Sequence, residues 1–107
     1  MRGKRILAAA GAAGLVLVLS GTAHAAQLTL SQGRGYGGNE TYRVYACDTK
    51  ADGWGVRTYY ELADGSAGLV GDGNGSTSPC GSRNMPSAVV WIAVCAGPNG
   101  ADSECRY

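Results

Sequence analysis

The feature that most constrains this 107-residue chain is its set of four cysteines, Cys47, Cys80, Cys95 and Cys105. An even number of cysteines in a short exported domain is typical of a disulfide framework. A zinc site made of all four would need paired C-x-x-C segments, and redox chemistry would also need such a pair. The chain has no such spacing. We therefore predict two disulfides that stabilise a domain with a modest core.

Four cysteines allow three pairings. The pairing Cys47–Cys80 with Cys95–Cys105 is favoured, because the segment GPNGADSE between the last two cysteines suits a hairpin connection. The pairing Cys47–Cys95 with Cys80–Cys105 would instead pin two strands across a sandwich. The sequence leaves that alternative open.

The N-terminus has the pattern of a signal peptide: basic MRGKR, apolar ILAAAGAAGLVLVLS, then Ala23-His24-Ala25. We predict cleavage between Ala25 and Ala26, secretion to the extracellular space, and no membrane attachment afterwards. The mature chain would keep 82 residues, with six basic and eight acidic side chains and a net charge of −2. No basic patch suggests nucleic acid as a partner.

The predicted cleavage also removes the single histidine of the chain, His24. Catalysis by Ser-His-Asp or Cys-His, and metal binding by histidine, are thereby excluded from the mature protein. Asp72, Asn74 and Ser76 alternate as in the first half of an EF-hand loop, but Thr77 and Arg83 stand where that loop needs glycine and an acid. We predict a turn there, with no metal and no cofactor.

The pattern along the mature chain predicts an all-β fold, a small antiparallel sandwich or partly open barrel. Residues 54–62 alternate with period two, residues 41–48 are rich in β-branched and aromatic side chains, and residues 88–96 form an apolar run typical of a central strand buried on both faces. Trp91 in that run is expected in the core. Residues 33–40 and 73–87, rich in glycine and polar side chains, are interpreted as loops.

The order of short motifs resembles that of a group of small secreted proteins from actinobacteria. The motifs are ACD at 46–48, the ADG turns, a tyrosine-bearing strand, an isolated cysteine, IAVC at 92–95 and a closing cysteine. The resemblance implies a secreted β-domain with two disulfides and brings no catalytic residues. The predicted organisation is a signal peptide at 1–25, a flexible segment with a possible short strand at 26–40, and a disulfide-stabilised β-domain at 41–107.

Two groups of residues are candidates for binding. Arg83, Asn84 and Met85 lie in the segment 80–87, which would form an anchored loop able to enter a hydrolase cleft if Cys80 is tethered. Arg57 and Tyr59 lie on the polar side of the strand 54–62, where ordinary cross-strand packing is the simpler interpretation.

The predicted function is that of a secreted, non-catalytic domain that binds an extracellular protein or a cell-wall component. One alternative is an inhibitor of an extracellular protease or amylase that uses the segment 80–87. The other is a small hydrolase or toxin with carboxylate chemistry, for which two acids would have to converge across a cleft.

Overall fold

The computed structural model describes residues 25–107 of the chain. The predicted signal peptide lies outside the described residues, except for Ala25, and the predicted cleavage site falls immediately before the first strand. No helix within residues 25–107 is long and apolar enough to cross a membrane.

Within residues 25–107, eight strands form two four-stranded antiparallel sheets, which confirms the predicted all-β sandwich. The first sheet has the order β1-β2-β3-β6 and the second has the order β5-β4-β7-β8. The strands are β1 (Ala26–Thr29), β2 (Gly35–Glu40), β3 (Arg43–Asp48), β4 (Trp54–Leu62), β5 (Ala67–Gly71), β6 (Gly81–Asn84), β7 (Val89–Pro98) and β8 (Glu104–Arg106).

The core lies between the two sheets and follows the alternation of the central strands. Val44 and Ala46 of β3 are fully buried, as are Thr58 of β4 and Val94 of β7. The Thr58 hydroxyl donates a 2.8 Å hydrogen bond to the carbonyl of Tyr45, so the buried hydroxyl is satisfied and the two sheets are linked. The predicted strand 54–62 is confirmed, because its inward positions 56, 58 and 62 are buried.

The loop predicted over 33–40 is wrong for residues 35–40, which form β2 and pair with both β1 and β3. The glycines here serve close packing rather than turning. A side chain at Gly37 would collide with the Thr58 hydroxyl and with Val94 across the sandwich. Glycine therefore allows the second sheet to approach β2, and residues 26–40 belong to the same sandwich as the rest.

The apolar run 88–96 does form a central strand, but it is not buried on both faces along its whole length. Its second half is buried, whereas Val90 and Trp91 are 49% and 44% exposed. The expectation that Trp91 lies in the core is wrong. A register shift opposite Glu61 and Leu62 places Trp91 beside Glu61 on the outer face of the second sheet.

Each disulfide links neighbouring segments of a single sheet, one bond in the first sheet and one in the second. Cys47–Cys80 joins β3 to the residue before β6, and Cys95–Cys105 joins directly paired positions of β7 and β8. The favoured pairing is confirmed, and the alternative across the sandwich is wrong. Neither disulfide crosses between the sheets. The association of the two sheets therefore rests on the apolar core and on a few polar contacts.

Candidate functional site

The segment 80–87 does not form the displayed loop that the sequence suggests. Residues 81–84 are strand β6, paired with β3, and Met85 is only 7% exposed within the core. The Arg83 guanidinium spans the open edge of the sandwich and donates to the Tyr60 hydroxyl at 3.1 Å and to the Leu69 carbonyl at 2.9 Å. Asn84 is exposed at the end of β6 opposite Arg43. These three residues therefore do not form one binding surface.

Arg57 and Tyr59 do lie together on the outer face of the second sheet, where Asp102 joins them. Arg57 pairs with the Asp102 carboxylate and donates to the Ala101 carbonyl at 2.7 Å, and the Tyr59 hydroxyl donates to the other Asp102 oxygen. This hydrogen bond to the carboxylate raises the pKa of Tyr59, and burial raises it further. The three side chains fasten the β7–β8 connection to the sheet, so they have a structural use.

A polar cluster at one end of the sandwich is also structural. The Glu104 carboxylate accepts hydrogen bonds from the Ser31 backbone N–H at 2.8 Å, from the Ser31 hydroxyl at 2.9 Å and from Arg34 at 3.2 Å. These bonds, the Ser31 N–H first, lower the pKa of Glu104 despite some burial. They tie the turn after β1 to β8 and so join the first sheet to the second.

An open cavity of about 390 Å³ lies on the outer face of the first sheet. Its volume falls within the usual range of small-molecule sites, about 300–1,000 Å³. We call it the tyrosine groove. Its lining residues are Gln27, Tyr36, Glu40, Arg43, Tyr45, Cys47, Pro79, Cys80 and Ser82.

Register places Tyr45 at the centre of the tyrosine groove. Gln27, Gly38, Tyr45 and Ser82 are successive cross-strand partners through all four strands of the sheet. The Tyr45 side chain leans across β2 and covers Gly38: a Cβ atom added at Gly38 would lie 2.5 Å from the Tyr45 hydroxyl and 2.7 Å from Cζ. The hydroxyl reaches β1 and donates to Gln27 Oε1 at 2.9 Å. The Tyr45 side chain therefore lies along the surface of the sheet and does not project into solvent from it.

Two neighbours hold Tyr45 in this position. The Tyr36 ring meets it edge to face, with centroids 6.4 Å apart and planes at 75°. The Arg43 guanidinium carbon lies 5.3 Å from the Tyr45 ring centroid. Burial is the main cause of a raised Tyr45 pKa. The ring is therefore neutral at ordinary pH and is restrained on two sides.

The charges of the tyrosine groove balance each other. Arg43 Nε and Nη2 donate to the two Glu40 oxygens at 3.1 and 3.3 Å, a bidentate arrangement. This hydrogen bonding and the charge of Arg43 lower the pKa of Glu40 and keep the pair ionised. Glu40 and Arg43 are the charged residues among those that line the groove.

The base of the tyrosine groove is covalently and sterically fixed. The Cys47–Cys80 disulfide forms part of its wall and holds β6 beside β3. Beneath it, Val44 and Ala46 anchor β3 in the core. A site on paired strands with this support changes little in shape, which lowers the entropy cost of binding.

The acidic residues do not form a catalytic pair in the tyrosine groove. Glu40 is the carboxylate among its lining residues, and it is paired with Arg43. Asp72 accepts hydrogen bonds from the backbone of Asp48 and Asn74 and so organises a turn. Among residues 25–107, no group of three or more histidine, cysteine or acidic side chains could hold a metal ion.

Sequence reasoning missed the tyrosine groove because it interpreted β2 as a loop. Tyr36 and Tyr45 are both visible in the sequence, but only the pairing of β2 with β3 puts them on one face. Tyr36, Gly38 and Glu40 stand at alternate positions, and this period of two was the available signal. Comparisons with protein-family models, with curated proteins and with solved structures found no match to this chain.

Proposed function

We propose that this protein is a secreted, non-catalytic binding module that recognises an extracellular ligand with the tyrosine groove. The observation that carries the proposal is the Tyr45 ring, laid over Gly38 and restrained by Tyr36 and Arg43 within an open cavity of about 390 Å³. Aromatic side chains with a polar end and low conformational freedom are typical of recognition surfaces.

Secretion is supported by the basic, apolar and Ala-His-Ala segments at the N-terminus and by the two disulfides. Disulfides persist in oxidising compartments and are rare in the cytosol. A non-catalytic function is supported by the single, ion-paired carboxylate of the groove, since hydrolysis of glycosides needs two converging acids.

The test is retention of the oxidised mature protein, residues 26–107, by cell walls and by macromolecules of the culture fluid of the producing organism. We expect Tyr36→Ala to reduce retention, because it removes the edge-to-face support of Tyr45. Tyr59→Ala is the matched control, since it removes a tyrosine from the outer face of the other sheet and should leave retention unchanged. Equal retention of both variants, or no retention of the unaltered protein, contradicts the proposal.

A further inference from the structure

The shape of the Tyr45 platform restricts the ligand. The ring covers Gly38, lines the open groove, and has the Arg43 guanidinium carbon 5.3 Å from its centroid. An aromatic face carries partial negative charge, and the C–H bonds along one side of a pyranose ring carry partial positive charge. A sugar ring therefore matches a tyrosine that lies along the sheet, in the same way that bases stack on aromatic platforms of open grooves.

The electrostatics of the groove favour an uncharged ligand. Glu40 and Arg43 neutralise each other, and the remaining lining residues are uncharged. A charged polymer would have to break this bidentate pair or bind without a counter-charge. An uncharged ligand leaves the ion pair intact. It can still form hydrogen bonds with the outward lone pairs of Glu40 and the outward N–H groups of Arg43.

Hydrogen-bond chemistry distinguishes a sugar from a proline-rich peptide, the other kind of ligand that binds aromatic-lined grooves. The groove offers acceptors at Glu40 beside donors at Arg43, and its other polar groups include the Ser82 hydroxyl. Sugar hydroxyls both donate and accept, so they match this mixture. Proline residues have no backbone N–H, so a proline-rich ligand could add no backbone hydrogen bond to the Glu40 carboxylate beyond those from Arg43.

We infer that the ligand of the tyrosine groove is an uncharged polysaccharide, one pyranose ring of which stacks on Tyr45 while neighbouring hydroxyls meet Glu40 and Arg43. This inference rests on the proposed function and specifies its ligand class. Tyr45 is the stacking residue, and Tyr36 and Gly38 are positioning residues that hold its ring along the sheet.

The experiment is titration of ¹⁵N-labelled, oxidised residues 26–107 with uncharged hexasaccharides, followed by amide chemical shifts. The probes are cellohexaose, xylohexaose, mannohexaose, maltohexaose and the hexamer of N-acetylglucosamine. We expect saturable shifts with at least one of them, clustered in β1, β2, β3 and β6. Tyr45→Ala should weaken that affinity about tenfold or more, since aromatic packing and the buried area both contribute.

Two further variants separate stacking from folding. Tyr45→Leu keeps an apolar cover over Gly38 but removes the aromatic face, so a folded variant with about tenfold weaker affinity supports stacking. Tyr59→Ala should bind within about twofold of the unaltered protein, because Tyr59 lies on the outer face of the other sheet and does not line the tyrosine groove. Affinity that survives Tyr45→Leu overturns the assignment of Tyr45.

The same titration with decaproline and with oligogalacturonate tests the rejected ligand classes. Shifts of the groove amides with one of these, and none with any uncharged hexasaccharide, overturn the inference and leave the proposed function standing. No saturable shift with any of the sugars overturns the inference as well. Failure of the proposed function is distinct, because it is read in the retention experiment: there the unaltered protein is not retained, or Tyr36→Ala and Tyr59→Ala are retained equally.

Discussion

The two sheets each contain a tyrosine that covers the glycine directly opposite it. In the first sheet Tyr45 covers Gly38, and in the second Tyr60 covers Gly68, where an added Cβ would lie 2.6 Å from the Tyr60 hydroxyl. Each ring also has an arginine nearby, Arg43 at 5.3 Å and Arg83 at 5.9 Å from the ring centroid. Aromatic cover of a strand glycine restores the packing that the glycine lacks.

The two pairs differ in the side of the sheet that they occupy. Tyr60 packs against the buried cluster that contains Val70 and Leu62, and Arg83 donates to its hydroxyl across the open edge. Tyr45 lies on the face opposite the core, and its hydroxyl donates to the exposed Gln27. The same local arrangement therefore closes the core in one sheet and builds a binding surface in the other.

Truncation of the two tyrosines should show the largest difference in stability between Tyr45 and Tyr60. We expect Tyr60→Ala to lower the free energy of unfolding by about 2–4 kcal/mol, because it opens a cavity at the core edge. Tyr45→Ala should cost about 1 kcal/mol, mainly one hydrogen bond and partial burial. Urea denaturation with the disulfides intact measures both. Equal losses would show that Tyr45 is as much a core residue as Tyr60.

Substitution of the two glycines should give the next largest difference. A methyl group at Gly38 collides with the Ala26 carbonyl of β1 as well as with Tyr45, whereas the three atoms nearest to one at Gly68 all belong to the Tyr60 phenol. We expect Gly38→Ala to cost about 1–3 kcal/mol, since backbone must shift. Gly68→Ala should cost less than about 1 kcal/mol. A larger loss at Gly68, in the same urea experiment, would contradict this order.

Exchange of the two arginines for glutamine should separate stability from binding. Arg83→Gln removes two hydrogen bonds across the open edge and should cost about 1 kcal/mol. Arg43→Gln removes an exposed ion pair, so we expect no measurable change in stability. The variant should nevertheless be retained less by cell walls and culture-fluid macromolecules, because Arg43 lines the tyrosine groove. Loss of retention in Arg83→Gln alone would place binding at the open edge of the sandwich, where Arg83 meets Tyr60, and not in the tyrosine groove.

Alkaline titration gives the smallest effect. Burial raises the pKa of Tyr45, so the folded protein holds this proton more tightly than the unfolded chain does. The stability that protonated Tyr45 contributes is fully present below the pKa of tyrosine in the unfolded chain, about 10. It falls as the pH rises through the pKa of Tyr45 in the folded protein. Tyrosinate absorbance should therefore show a late-titrating tyrosine that Tyr45→Phe removes. A Tyr59→Phe control should remove a second late-titrating tyrosine, because the pKa of Tyr59 is also raised.

Local sequence patterns predicted the strands that have strong side-chain signals. The nine alternating residues of β4 and the two hairpin-like cysteine positions 95 and 105 were assigned correctly, since their signals depend on neighbours in the chain. The glycine-rich β2 was missed, because glycine is depleted in strands and the reason for glycine at position 37, the close approach of Thr58 and Val94, lies in the other sheet. Met85 was placed on a loop although it is buried, because a single methionine among polar residues carries no periodic signal.

Alternation and turn residues are local properties, so the all-β class follows from the sequence alone. Cysteine spacing favoured one disulfide pairing but left a second open, and the structure settles the choice. Which tyrosines meet, and on which face they lie, depends on the packing of the whole sandwich. That outcome depends on the register of β2 against β3 and on how closely the second sheet approaches Gly37. Cross-strand register couples residues far apart in the chain, so the tyrosine groove could not be read from any one segment.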